Sequence, residues 1–228
     1  MKLVEEIDNL VPVRTVLASV FFKEGIENLV KGLVERCPRA KIISTGGTYS
    51  AIRQILGKDA DNKLMMIEQY TGDPEIAGGL VKSLGYAKSL GLLTNTYWPE
   101  HQEALAQRGV APIDVVVCNF YPFEQAVADR DATPEAARSN MDIGGPTMTN
   151  EAAKNMLRVA VLTSHSQYGD FLEDLARNQG STSLEFRLKC AKDAFTAIAR
   201  DAFARGQYWC TVTAEQLAGC YKVNERAK

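Results

Sequence analysis

The sequence predicts an α/β protein: one domain with a mainly parallel sheet covered by helices on both faces, followed by a helical C-terminal portion. Three observations carry this. Apolar, β-branched runs alternate with segments of helical period. No internal repeat or low-complexity linker divides the chain. The last third of the sequence holds one unusually long helical segment.

Taken in order, "RTVLASVF" is a strand by its β-branched and apolar content. In "EGIENLVKGLVERC", Ile26, Leu29, Val30, Leu33 and Val34 recur at helical spacing, which predicts an amphipathic helix. "AKIIST" is a second strand, and "GGTYSAIRQILG" a glycine-rich turn, a helix and a glycine stop. "NKLMMIEQY" reads as a third strand. The following "TGDPEIAGGLVKSLGYAKSLGLLTN" is rich in glycine and lysine and poorly periodic, so it is assigned largely to loops. "PEHQEALAQRG" is a helix closed by glycine, and "PIDVVVCNFYPF" a buried strand ending in aromatics. "TPEAARSN" opens a helix with a Thr N-cap and a Pro in the first turn. A "DIGGP" turn, a "TNEAAKNM" helix and a "RVAVLTS" strand come next. "HSQYGDFLEDLARN" and the long "SLEFRLKCAKDAFTAIARDAFARGQYW" are helices, and the polar tail from Asn224 frays.

Composition bounds the function. The 228 residues are 46% hydrophobic and 24% charged, with net charge −2, and the isoelectric point is near 5.8. No basic stripe exists, which argues against a nucleic-acid partner. A small anion remains compatible, because helix N-termini and a few lysines bind one locally. Cys37, Cys118, Cys190, Cys210 and Cys220 lack metal-ligand spacing, and His101 and His165 are far apart, so no metal site is expected. The N-terminal segment carries acids where a secretory signal needs an apolar core, and no apolar run approaches the ~18 residues of a membrane span. The expectation is a cytoplasmic protein in a reducing compartment.

In parallel sheets ligands sit outside the carboxyl ends of the strands. "STGGT", residues 44–48, joins a strand to a helix there: its glycines let backbone N–H groups approach an anion, its hydroxyls add donors, and the helix dipole favours negative charge. Read alone, it is equally a tight β–α turn with an ordinary cap. Ser19 and Lys23, after the first strand, stand where they could serve the same anion. Asn119 and Tyr121, in "CNFYPF", are polar anchors for a flat heteroaromatic ring, or else a hydrophobic corner closed by Pro122. Asp142 precedes a Gly144-Gly145-Pro146 corner and Lys154 follows twelve residues later. Each of these, and Lys82 with it, has an ordinary surface or turn reading in isolation.

Together the motifs do more. "STGGT", "YTGDPEIAGGLVKSLG", "VVVCNFYPFEQAVA", "MDIGGPTMTNEAAKN" and "EFRLKCAKDAFTAIARDAF" resemble, in order and spacing, the IMP cyclohydrolase domain, the N-terminal half of the bifunctional purine biosynthesis protein. The resemblance covers roughly residues 14–209 of a single domain spanning 1–228. It implies a three-layer α/β/α sandwich of the methylglyoxal-synthase-like kind. It also implies closure of formyl-AICAR to IMP and water, with no redox, metal or nucleotide cofactor. By the same resemblance, Lys82, Tyr121, Asp142 and Lys154 fall on the catalytic positions. Ser19, Lys23, Thr45, Gly46, Gly47, Thr48, Ser83, Asn119, Gly144 and Gly145 fall on the substrate-binding surface. Homo-oligomerisation is left open, the formyl transferase domain is expected to be absent, and a separate enzyme is expected to supply the formylated substrate. The chain departs from the family where "SVSDKTG" becomes "SVFFKEG", which removes side-chain donors at Phe21 and Phe22 and adds Glu24. It departs again where an arginine becomes Leu80 and a histidine Gly85, with Lys88 in the same loop as a substitute cation. Two other readings stand beside this one: a non-catalytic nucleotide-sensing module of the same fold, and a methylglyoxal-synthase-like lyase. The lyase would want a histidine and paired carboxylates at the phosphate loop, which the sequence does not offer there.

Overall fold

The computed structural model describes residues 4–72, 85–128 and 132–224. Five short strands form one parallel sheet: β2 (Thr15–Val20), β3 (Lys41–Ser44), β4 (Leu64–Met66), β5 (Val115–Asn119) and β6 (Ala160–Leu162), in the order β4-β3-β2-β5-β6. Val16 is level with Ile42 on one side and Val115 on the other, and Val115 with Ala160 beyond. Val115, Val116 and Val117 are buried, each contributing about 1.5–3 kcal/mol of apolar burial.

The chain runs β2 to β3 to β4 outward, then returns to the other side of β2 for β5 and β6. Right-handed crossovers put the helices of the two excursions on opposite faces. On one face Ile26–Arg36 packs against Gly46–Leu56 and Tyr168–Arg177; on the other, Gly144–Lys154 packs against Tyr86–Leu93 and Leu184–Trp209. Of the five apolar residues at helical spacing in Ile26–Arg36, Ile26, Leu29, Val30 and Leu33 are buried and Val34 is half-buried. The three-layer architecture and the helical C-terminal portion are as the sequence predicts.

Several details differ. "NKLMMIEQY" is not one strand: only Leu64–Met66 pairs, and Ile67–Thr71 turns helical, capped by the Gln69 side chain on the Met66 N–H at 2.9 Å. Within the segment assigned to loops, Tyr86–Leu93 is a helix, while residues 73–84 lie outside the described ones. The helix expected to follow the "DIGGP" turn instead begins inside it, at Gly144. A second, two-stranded sheet was not foreseen: β1 (Leu10–Pro12) pairs antiparallel with β7 (Ser181–Ser183).

Arg187 fixes that ribbon. Fully buried, its guanidinium donates to the carbonyls of Asp8, Asn9, Met156, Leu157 and Thr182, satisfying its donors and tying the N-terminal segment to the start of the long helix. At the amino ends of β2 and β5 a second polar cluster does similar work. Asp114 accepts from the Arg14 and Thr15 N–H groups at 2.7 and 2.8 Å and pairs with Arg158. Burial pushes the Asp114 carboxyl upward, opposed by Arg158. These polar groups close the end of the sheet opposite the strand tips, and leave the carboxyl edge for a ligand.

Candidate functional site

The order β4-β3-β2-β5-β6 has its switch point between β2 and β5, the crevice where such sheets bind ligands. Val20 and Asn119 end the two strands level with each other. Two loops rise there, Phe21–Gly25 and Phe120–Pro122, flanked by the "STGGT" turn and the Asp142 corner.

The turn forms an anion cradle. Thr45 is the extended residue before the Gly46–Leu56 helix, and its carbonyl accepts from Thr48 N at 3.0 Å and Tyr49 N at 3.1 Å. The N–H groups of Gly46 and Gly47 have no hydrogen-bond partner among the described residues. Gly46 has φ +37°, a backbone state that a side chain would strain. Ser19 Oγ and Thr45 Oγ1 lie 2.9 Å apart; one hydroxyl donates to the other, so one hydroxyl hydrogen of the pair is left for a ligand oxygen. A Cβ built on Gly47 would meet only Lys23 Nζ, at 3.9 Å, so the ammonium lies beside the Gly46–Gly47 turn. Glu24 does not face the cradle: its carboxylate lies 3.6 Å from His165 Nδ1.

Two residues expected to bind ligand through their side chains are otherwise engaged. Thr48 Oγ1 accepts from Val20 N and donates to Val20 O, both at 3.0 Å, and is buried. It locks the helix start to the end of β2. The Asn119 amide accepts from Phe22 N and donates to Phe22 O, both at 2.9 Å. Phe21 N also donates to Asn119 O at 3.2 Å. Asn119 therefore splints the Phe21–Gly25 loop onto β5. Lys88, expected as a substitute cation, is fully buried and paired with Glu151, whose second oxygen takes the Ser89 hydroxyl at 2.7 Å. It is not available to a ligand.

The Asp142 corner is built tightly. Asp142 Oδ1 accepts the Gly145 N–H at 2.9 Å, closing the first turn of Gly144–Lys154 as an N-capping acid does. Oδ2 has no partner among the described residues. A Cβ on Gly145 would meet Asp142 Oδ2 at 2.6 Å and Phe120 Cβ at 3.1 Å; glycine is needed for the carboxylate to sit between helix and β5 loop. The Gly145 carbonyl takes the Cys118 thiol at 3.7 Å. Burial pushes that thiol up to about 12, so it is a packing group and not a nucleophile. Arg205, 63 residues downstream and without a motif of its own, donates to the Asp142 carbonyl at 2.7 Å and pairs with Asp201. The end of the long helix thereby holds the corner.

Of the four expected catalytic residues, Tyr121 and Asp142 lie at the switch-point edge. Tyr121 is half-buried, its ring 4.7 Å from that of Phe21. Lys154 is exposed at the far end of the eleven-residue helix that Asp142 caps, about 16 Å along the axis at 1.5 Å per residue. Lys82 and Ser83 lie outside the described residues. Among the described residues no cluster of three or more His, Cys, Asp or Glu could hold a metal ion, and no described helix is long and apolar enough to cross a membrane.

A parallel sheet with a glycine cradle at its switch point defines a class, and the chain belongs to it: the MGS-like domain family matches residues 25–147, more than half of the sequence. The AICARFT/IMPCHase bienzyme family matches residues 152–224. Among curated proteins the chain is similar to the bifunctional purine biosynthesis protein PurH of Trichodesmium erythraeum, at 41% identity over 80% of this chain and 34% of that protein. The PurH of Xanthomonas campestris pv. campestris is 40% identical over 90% of this chain and 37% of its own length. The chain thus spans about a third of the length of the curated relatives it matches. A crystal structure of ForH superposes with a TM-score of 0.69 at 29% identity, covering 86% of this chain and 99% of that one.

Proposed function

We propose that the chain is an IMP cyclohydrolase, closing formyl-AICAR to IMP with loss of one water. The observation that carries the proposal is the pairing of an anion cradle with a carboxylate at one sheet edge. Lys23 and the free Gly46 and Gly47 N–H groups suit a phosphate monoester, and Asp142 keeps one oxygen free beside Phe120.

In the reaction the carboxamide nitrogen attacks the formyl carbon, forming the new C–N bond while the formyl oxygen becomes a hydroxyl. One proton leaves the carboxamide nitrogen. The hydroxyl then departs with the proton of the formamido nitrogen, leaving a C=N bond and one water. A carboxamide is a poor nucleophile, so the step gains from a base at its N–H and from holding the two groups in register. Asp142 Oδ2 is the base in this reading, and Tyr121 orients the formyl group. Lys82 or Lys154, the two lysines on the family's catalytic positions, takes the developing oxygen charge in this reading. Lys154 stands at the far end of the helix that begins at Gly144, and Lys82 lies outside the described residues. The formylated substrate must come from a formyl-transfer reaction.

Ultraviolet absorbance of the purified chain with synthetic formyl-AICAR tests this: IMP should accumulate without folate, metal or added nucleotide. IMP binding with no turnover above the uncatalysed rate would replace the enzyme by a nucleotide sensor of the same fold.

A further inference from the structure

The sequence comparison counts Phe21 and Phe22 as lost donors, yet the structure spends considerable order on them. Phe21 is 52% and Phe22 42% exposed, although their backbone is hydrogen-bonded to Asn119. Phe22 has both backbone groups held by the Asn119 side chain, and the Phe21 N–H is held by the Asn119 carbonyl. The rings are organised. Phe21 meets Phe22 edge-on at 5.0 Å and 88°, and Tyr121 at 4.7 Å and 63°, separations and angles typical of attractive aromatic pairs. Two residues further along, Lys23 turns back: its ammonium donates to Phe21 O at 3.3 Å and stands 3.9 Å from the Cβ position of Gly47. One short loop therefore carries a cation beside the free Gly46 and Gly47 N–H donors and, adjoining it, two paired aromatic rings exposed to solvent.

An anion cradle alone recognises any phosphate monoester. The rings add a preference that the cradle lacks. We propose that Phe21 and Phe22 are specificity-determining residues: with Tyr121 they form the wall against which the heteroaromatic base of a ribonucleoside monophosphate lies, while its phosphate is held at Gly46–Gly47. Every base has a π-face, so such a wall selects nucleotides over sugar phosphates without hydrogen bonds from its own side chains. Asn119 is then a positioning residue, because its amide keeps the loop from folding the exposed rings away from the crevice. The inference rests on the nucleotide reading above, but not on catalysis.

The test is calorimetric titration of the full chain with inosine 5′-monophosphate and with ribose 5-phosphate, which shares the phosphate but has no base. The wild-type chain should prefer the nucleotide. Phe21→Ser and Phe22→Ser should each weaken nucleotide binding by roughly five- to hundredfold, the span of a base–aromatic stack. Ribose 5-phosphate should bind unchanged, and so should the melting temperature stay. Phe21→Tyr, which keeps the ring, should restore most of the nucleotide affinity. Equal losses for both ligands, no loss for either, or no wild-type preference for the nucleotide would each overturn the proposal. Turnover is read separately. A chain that shows ring-dependent nucleotide binding but closes no ring would sink the cyclohydrolase reading and leave the wall standing.

Discussion

Asp142 has two jobs in this account, and its two oxygens divide them. Oδ1 caps the Gly144–Lys154 helix through the Gly145 N–H at 2.9 Å; Oδ2 is left for the substrate proton. Asn at this position keeps an acceptor for the cap, and Asn and Asp are near-equal N-caps, so Asp142→Asn should change stability by no more than a few tenths of a kcal/mol. It removes the base. Turnover should fall by roughly 10²–10⁴-fold, about 3–5 kcal/mol of barrier at 1.36 kcal/mol per decade, while inosine 5′-monophosphate binding stays within a few fold. Asp142→Ala removes both functions. Beyond the same loss of turnover it should cost about 1 kcal/mol of stability, a fall in Tm of about 2–4 °C for a chain of this size. Ring closure followed by absorbance, calorimetric binding and a thermal melt separate the three quantities. Near wild-type turnover in Asp142→Asn, with Tm unchanged, would show that the carboxylate only shapes the corner and would refute the assignment.

Four further outcomes are expected, two from the geometry of the site and two from the buried thiols. Gly145→Ala forces a Cβ to within 2.6 Å of Asp142 Oδ2 and 3.1 Å of Phe120 Cβ. It should cost about 1–3 kcal/mol of stability and cut kcat through the displaced carboxylate; unchanged kcat and urea midpoint would mean that the corner is looser than described. Asn119→Leu removes both bonds to the Phe22 backbone and should raise KM for the nucleotide more than it lowers kcat. The reverse split would assign Asn119 to the chemistry. Finally, Cys37, Cys118 and Cys190 are buried, and burial pushes their thiols up to about 11, 12 and 12. A chromogenic disulfide reagent should modify exposed Cys210 and partly exposed Cys220 in the native chain and the other three only in denaturant. Because the folded values lie above the ordinary thiol value of 9.0, the unfolded chain releases these protons first. The stability associated with them is intact below pH 9 and is lost as pH rises through the folded values. An alkaline unfolding midpoint unaffected by Cys118→Ala would contradict this.

The fold was legible wherever one element carried its own signal. The apolar runs of β2, β3 and β5 and the spacing of Ile26, Leu29, Val30 and Leu33 point to the same burial in sequence and structure. The β1–β7 ribbon was not legible, because three-residue strands have no period and Leu10 meets Ser183 only across the whole fold. Gly144-Gly145-Pro146 read as a turn because glycine and proline usually end helices; here the Asp142 cap and the close approach of Phe120 make them a helix start. The site divides in the same way. Residue types and order pointed to a cradle and an acid, but a sequence does not distinguish a hydroxyl that binds from one that buttresses, as Thr48 does, or an amide that reads a base from one that splints a loop, as Asn119 does. Phe21 and Phe22 read as losses because the ring geometry and exposure on which their proposed role rests leave no mark in residue type, and Arg205 left no local trace at all.

The central claim is spatial: the tips of β2, β3 and β5 form one ribonucleotide site at the switch point of the sheet. A crystal structure of the chain with bound inosine 5′-monophosphate tests it most directly. The account predicts the phosphate on the Gly46 and Gly47 N–H groups beneath Lys23 Nζ, the base against Phe21 and Phe22, and the pyrimidine edge of the base toward Asp142. A phosphate bound anywhere else on the molecule, with the Gly46–Gly47 turn left unliganded, would contradict it.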